Sequence, residues 1–351
     1  KQFTEMGLAP TGNDGTYFQD ITFRRSVREA DGRAFEVKDA AGNVLPLTEN
    51  VNAVVYNSIQ GTEATIEAPA VFVGFGLVAP ELGRDDFAGV DLTGKIAVVL
   101  GGTPKGIQNE ERAFYGNRKY KNLSDRGAIG VISVETPTRK AIYSFQRLLA
   151  EGRLEGASLA WLQEDGTPYT DAPALEAYAA VSLEGAPALF TGAPVSWAEI
   201  ETAAEAEGAA VPSFEMPITI KITQRSAHDT VKSANVVAMI EGSDPDLKNE
   251  VIVISAHLDH IGISKTMEDD KINNGALDNA AGVSTMLDAA RMLKNGPPLK
   301  RTVVFIALTA EEKGLLGAQY FAKSPSVSGT IVANVNLDMP VLTYDFSNVI
   351  A

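Results

Sequence analysis

Three continuous apolar runs lie in the last third of the chain: VIVISA (251–256), RTVVFIAL (301–308) and TIVANVNL (330–337). They alternate with stretches that repeat apolar residues at helical spacing. In NAAGVSTMLDAARMLKNG (279–296), Val283, Met286, Leu287, Ala290 and Leu293 share one stripe, which Gly296, Pro297 and Pro298 end. EEKGLLGAQYFAK (311–323) predicts a further helix. Uninterrupted apolar strands are buried on both faces, so this alternation predicts an open, mostly parallel α/β sheet with flanking helices. ANVVAMIEG (234–242) and EVIVISAH (250–257) are expected as neighbouring strands of it.

The texture differs earlier. Residues 1–60 alternate short β-like runs such as TYFQDITFRRSV (16–27) with turns such as DAAGN (39–43). From about 62 to 214 the β segments are punctuated by glycine, as in APAVFVGFGLVAP, DLTGKIAVVL and LSDRGAIGVISV. A helix, SWAEIETAAEAEG (196–208), carries the capping-box pair Ser196 and Glu199 and stops at Gly208. The expected division is therefore one domain of 1–61 with 215–351, and an inserted, β-rich second domain of 62–214.

The residues just after each buried run carry the chemistry. His257 and Asp259 come after the first, Glu311 and Glu312 after the second, and Asp338 after the third, while Asp278 opens the helix at 279. Ligands of open α/β sheets bind beyond the carboxyl ends of the strands. Singly, each residue has a structural explanation: a helix cap, a charged first turn, a turn before Pro340. Together, so much like charge at equivalent topological positions would be costly to bury without a cation. One imidazole and several carboxylates suit Zn²⁺ or a similar first-row divalent ion.

Composition narrows the function. A formal charge of −15 and a pI near 4.7 exclude the electrostatic footprint of a nucleic-acid binder. With no cysteine there is neither a disulfide nor a thiolate metal site. No apolar stretch reaches the roughly 18–20 residues of a membrane span. The chain begins with Lys1 and stops in DFSNVIA with no cap or polar tail, so both ends are expected to be cut.

AHLDHIG, NNGALDNAAG, TAEEKGLLG and NLDM resemble, in order, the motifs of the M28 family of zinc exopeptidases. Residues 62–214 resemble a protease-associated (PA) domain inserted into that fold, through DLTGKIAVVL and DRGAIGVI. The resemblance implies hydrolysis of terminal peptide bonds in peptide or protein substrates by two zinc ions. His257 would bind one zinc, with Asp259 holding its imidazole. Asp278 would bridge the ions, Glu312 would bind the first and Asp338 the second, and Glu311 would act as general base. A cis peptide between Asp278 and Asn279 is implied as well. His260 receives no metal role, and His228 is expected at the surface. The family's last ligand, a histidine after NLDM, is expected beyond Ala351. Export to periplasm or medium is implied by the family alone.

Aminopeptidase is the leading reading and carboxypeptidase the next. FYGNRKYKN (114–122) resembles the matching stretch of glutamate carboxypeptidase, with Tyr115 where that branch has a carboxylate-grasping arginine. Arg118, Lys119 and Lys121 would have to substitute, against the simpler reading of a solvated basic patch. Transferrin-receptor-like proteins share the architecture as non-catalytic binders, but the five expected ligand and base residues are all present here. Glutaminyl cyclases use the same fold with one zinc and usually lack the insertion.

Overall fold

The computed structural model describes residues 1–208, 210–264 and 267–340, with backbone alone at 109 and 110. The chain forms two compact units. The first comprises Lys1–Phe23, Trp161–Asp165 and Thr230–Ala351, and the second Arg24–Ala160 and Gly166–Asp229.

The first unit is built on a mixed sheet. Strand Glu250–His257 lies between Thr302–Leu308 and Thr330–Asn336, parallel to both, so their carboxyl ends share one edge. On the far side of Thr302–Leu308, the end of the long strand Ser213–Ile240 pairs antiparallel, from Val236↔Ala307 to Ile240↔Val303. Thus ANVVAMIEG is not the neighbour of EVIVISAH. Residues 302–308 lie between them, because the helical crossover after 257 returns the chain to a parallel position beside it.

All seven residues of Thr302–Leu308 are buried, and side-chain alternation divides them between two cores. Val303, Phe305 and Ala307 face helix Ala281–Asn295 through Met286 and Ala290. Val304, Ile306 and Leu308 face Phe321 of helix Leu316–Lys323. Burying Phe305 alone contributes on the order of 2–3 kcal/mol.

Three expectations are corrected by this arrangement. The helix expected over 311–323 begins at Leu316, since Gly314 and Leu315 have positive φ and their N–H groups turn back to the Glu311 carbonyl. The helix expected from 279 begins at Ala281, after a non-helical turn. Strand Thr330–Asn336, expected to be buried, is exposed along its length as an edge strand of the described residues.

The second unit has its own sheet. Strands Glu63–Val73, Ile96–Leu100, Gly130–Val134 and Ala177–Val181 run parallel in that order, flanked antiparallel by Ala53–Val55 at one side. At the other side the first part of Ser213–Ile240 pairs with both Glu63–Val73 and Ala34–Asp39. These pairings put residues 24–61 and 215–229 in this unit with 62–160. Phe72, Ile96, Val98, Leu100, Ile132 and Val181 form its core, closed by Trp197 and Ile200 of helix Trp197–Glu205. The capping box is formed: Ser196 Oγ accepts from the Glu199 N–H, and the Ser196 N–H donates to Glu199 Oε2.

One surface expectation fails as well, and a second holds only in part. Lys119 is buried, and its ammonium donates to the carbonyls of Leu100 (2.9 Å) and Gly102 (2.8 Å). Burial pulls its pKa down to about 8. His228 is half-buried, with Nε2 2.7 Å from the Ser58 carbonyl oxygen.

Candidate metal centre

At the carboxyl edge of the first unit's sheet, His257 ends its strand almost wholly buried. Its Nδ1 lies 3.1 Å from the carbonyl oxygen of Asp259. A carbonyl can only accept, so Nδ1 carries the proton and Nε2 is left facing the acids. Nε2 is 3.0 Å from Asp278 Oδ1, 3.4 Å from Asp338 Oδ1 and 3.9 Å from Glu311 Oε2. With Nδ1 already a donor, contacts this short require a second proton or another cation at Nε2.

The carboxylate of Asp259 is 4.0 Å from the ring and has a different task. Its two oxygens accept the N–H groups of Glu311 (3.0 Å) and Glu312 (3.2 Å). That clamp shapes the turn after Thr302–Leu308 and aims both glutamates at the edge. Gly317 completes it: a Cβ there would come within 2.3 Å of the Thr309 carbonyl oxygen.

Asp278 comes from the turn Ala276–Ala280, whose Asp278–Asn279 peptide bond is cis. Asn279, 3% exposed, ties this turn to the loop that bears Asp338. Its Oδ1 accepts from the N–H groups of Gly282 (3.0 Å) and Met339 (3.2 Å), and its Nδ2 donates to the Leu337 carbonyl (2.9 Å). Read as sequence, Asn279 is one residue of LDNAAG with no task of its own. An Asn directly after an expected ligand is the signal that could have marked it.

His260, without a metal role in the sequence reading, also stands at the centre. Its Nδ1 is 2.8 Å from Glu312 Oε1 and 4.0 Å from Asp278 Oδ2. Two groups of donor atoms result, each lying within 4.8 Å of one another: His257 with Asp278 and Asp338, and His260 with Asp278 and Glu312. Asp278 belongs to both.

The electrostatics are those of an unneutralised site. Among the described residues, no Lys or Arg pairs with Asp259, Asp278, Glu311, Glu312 or Asp338. Burial raises the pKa of Glu311, and the charges of Asp338, Glu312 and Asp259 add to it against the opposing His257. For His257, burial pulls the pKa down, but the bond to the Asp259 carbonyl and the charges of Glu311, Asp338 and Asp278 outweigh it, so the net shift is upward. Imidazole and carboxylate donors with no sulfur, converging from three strand ends, are the set that zinc accepts.

The sequence comparisons fit this geometry. Residues 235–343 match the profile of "Peptidase family M28". Over 111 residues the chain is 38% identical to a "Probable zinc metalloprotease" of Pyrenophora teres f. teres, covering 31% of this chain and 23% of that protein. Over 92 residues it is 37% identical to "Aminopeptidase YwaD" of Bacillus subtilis, covering 26% of this chain and 18% of that protein. The matched segment thus spans about a quarter or less of these relatives. A solved aminopeptidase from Aneurinibacillus sp. strain AM-1 overlaps 96% of this chain and 62% of its own at 19% identity, with a TM-score of 0.42. His257, Asp278, Glu311, Glu312 and Asp338 all lie within residues 235–343, the segment that matches peptidase family M28.

Proposed function

We propose that this chain carries the metal centre of a zinc aminopeptidase that hydrolyses N-terminal peptide bonds of peptide or protein substrates. The observation that carries the reading is the cluster of four carboxylates, Asp278, Glu311, Glu312 and Asp338, around Nε2 of His257 and Nδ1 of His260, with no Lys or Arg among the described residues to neutralise it. His257, Asp278 and Asp338 hold one zinc, and Asp278 with Glu312 takes part in holding a second.

Bound there, zinc supplies Lewis acidity toward the scissile carbonyl and lowers the pKa of a water. Glu311 takes the water's proton and delivers it to the leaving amine. Its raised pKa suits that exchange, because a proton carrier works best near the operating pH. Asp259 serves by fixing Glu311 and Glu312 through their backbone N–H groups.

The aminopeptidase reading draws on the printed names of relatives, YwaD and the "Probable lipoprotein aminopeptidase LpqL" of Mycobacterium tuberculosis. The basic residues that a carboxypeptidase would need are engaged elsewhere. Arg118 stacks on Phe114, Lys121 pairs with Asp125 and Lys119 is buried. Residues 62–214 are proposed as a PA domain, and the protein as periplasmic or secreted. No helix among the described residues is long and apolar enough to cross a membrane.

The test is zinc analysis of the purified protein beside cleavage of peptides with free and acetylated N-termini. Bound zinc and cleavage of free peptides are expected. Zinc-free protein would overturn the metal reading, and cleavage of blocked peptides alone would overturn aminopeptidase.

A further inference from the structure

We propose that the second unit carries a binding site of its own, for a small carboxylate with an aromatic or large apolar body. The site is a cavity of about 510 Å³ at the carboxyl edge of that unit's parallel strands. Its lining residues all belong to that unit, and the inference stands apart from the zinc-peptidase reading.

The topology places it. Leu100 pairs with Val134, and Val134 with Val181, so three neighbouring parallel strands end level. Gly101, Gly102, Thr103 and Glu135 follow two of those ends and line the cavity, as Val181 does at the third. Open α/β sheets take their ligands at this edge, and the volume is that of a small-molecule site.

The walls present donors that nothing satisfies. Among the described residues, the guanidinium of Arg139, the phenols of Tyr56 and Tyr120, and the backbone N–H groups of Gly102 and Thr103 have no partner. Gly102 sits at φ +82°, and a Cβ there would meet only open space. Burial pushes the Tyr56 phenol up to about 12, so it keeps the proton it would donate.

The opposite sign is already spent. Glu135 is the one carboxylate among the lining residues, and its oxygens accept the N–H groups of Phe145 (2.6 Å) and Leu183 (2.9 Å). Lys119 also lines the cavity, its ammonium fixed on the carbonyls of Leu100 and Gly102. Lys119 and Arg139 against Glu135 leave one positive charge in excess, which a monoanion matches and a dianionic phosphate overshoots. Tyr143, Phe145, Leu148 and Ala180 supply an aromatic and apolar wall for the body of the ligand. A solvated arginine beside a water-filled cleft would account for Arg139 alone, and not for two phenols and two N–H groups left open around the same cavity.

The experiment is calorimetric titration of 3-phenylpropionate into the metal-stripped 351-residue chain, beside phenethylamine, 3-phenylpropanol and inorganic phosphate. 3-Phenylpropionate is expected to bind at about one equivalent, and the other three about tenfold more weakly or worse, lacking the charge-assisted bonds or the fit. Arg139→Met should weaken 3-phenylpropionate about tenfold or more, and Tyr56→Phe a few-fold, with native melting curves in both. Should Arg139→Met disturb the melting, Arg139→Lys takes its place, since it keeps the charge and loses the planar fork. No binding of 3-phenylpropionate, or binding that none of these variants weakens, overturns the site. Equal binding of the alcohol or the amine overturns the anion, and phosphate as the tighter ligand overturns the carboxylate. Because the chain is stripped of metal, this result and the outcome of the zinc test are read separately.

Discussion

The two units treat charge in opposite ways. In the second, the buried charges among the described residues, Arg28, Asp86, Lys119 and Glu135, each have a partner that cancels or solvates them. Arg28, whose side chain is 1% exposed, pairs with Glu49 at 2.8 Å, and Arg33 reaches the same oxygen at 3.3 Å. Asp86 meets Arg84 at 2.8 Å and accepts the N–H groups of Phe75 and Leu77. Glu135 accepts those of Phe145 and Leu183, and Lys119 is bound by carbonyls. In the first unit five carboxylates share one edge with two imidazoles. Paired charge of the first kind serves the fold. Unpaired charge of the second kind is tolerated only where something else will neutralise it.

The contrast can be broken at its most extreme point. Asp278→Ala removes the carboxylate common to both donor groups, and zinc titration should show both equivalents lost or severely weakened while the circular dichroism of the metal-free chain stays native. Glu311→Gln lies next. Zinc binding should change by no more than a few-fold, whereas peptide turnover should fall by about 10²–10⁴, the usual contribution of a proton carrier. Normal turnover in that variant would remove Glu311 from its role.

In the second unit the corresponding test is stability. Arg28→Ala leaves Glu49 partly uncompensated, Arg33 remaining, and urea unfolding should show a loss of about 3 kcal/mol, the lower end for breaking a buried pair. Zinc should not rescue it. Asn279→Ala is expected to act on both fold and site: the buried N–H of Gly282 and the half-buried N–H of Met339 lose their acceptor, a cost of about 1–3 kcal/mol. The turns bearing Asp278 and Asp338 loosen with it, so zinc affinity falls in the same variant.

The smallest effect is that of pH on the metal-free chain. Glu311 and His257 both hold a proton more tightly when folded than their ordinary values of 4.5 and 6.5 imply. A raised folded pKa contributes stability that is complete below the unfolded value and lost as pH rises through the folded one. The stripped chain should therefore lose stability in steps as pH rises, first above 4.5 and again above 6.5. Zinc-driven stabilisation should grow over the same range, because ligands must shed protons to bind. Melting curves with and without zinc at several pH values would show the two trends crossing.

Much of this is legible in the sequence because it is local. Buried strands read as apolar runs, and the residue after such a run has a place fixed by the topology, which is why His257, Glu311, Glu312 and Asp338 group together. Other features depend on partners distant in the chain. The helix starts late, at Leu316, after the positive-φ turn at Gly314 and Leu315, and Asp259 holds the N–H groups of Glu311 and Glu312 at the head of that turn, which nothing in EEKGLLGAQYFAK announces. Strand order is likewise tertiary: residues 235–240 and 250–257 are near in sequence but separated by 302–308. Lys119 reads as solvated because its neighbours are polar, yet the carbonyls at the end of Ile96–Leu100 draw it inward. His260 reads as structural in the sequence, because the motif's first histidine already fills the expected role.

The most direct measurement is anomalous diffraction at the zinc edge from crystals grown with zinc. The account predicts one peak among His257 Nε2, Asp278 Oδ1 and Asp338, and a second between Asp278 Oδ2 and Glu312. A map with no peak at this edge, and the carboxylates instead drawn to lysine or arginine side chains, would contradict it.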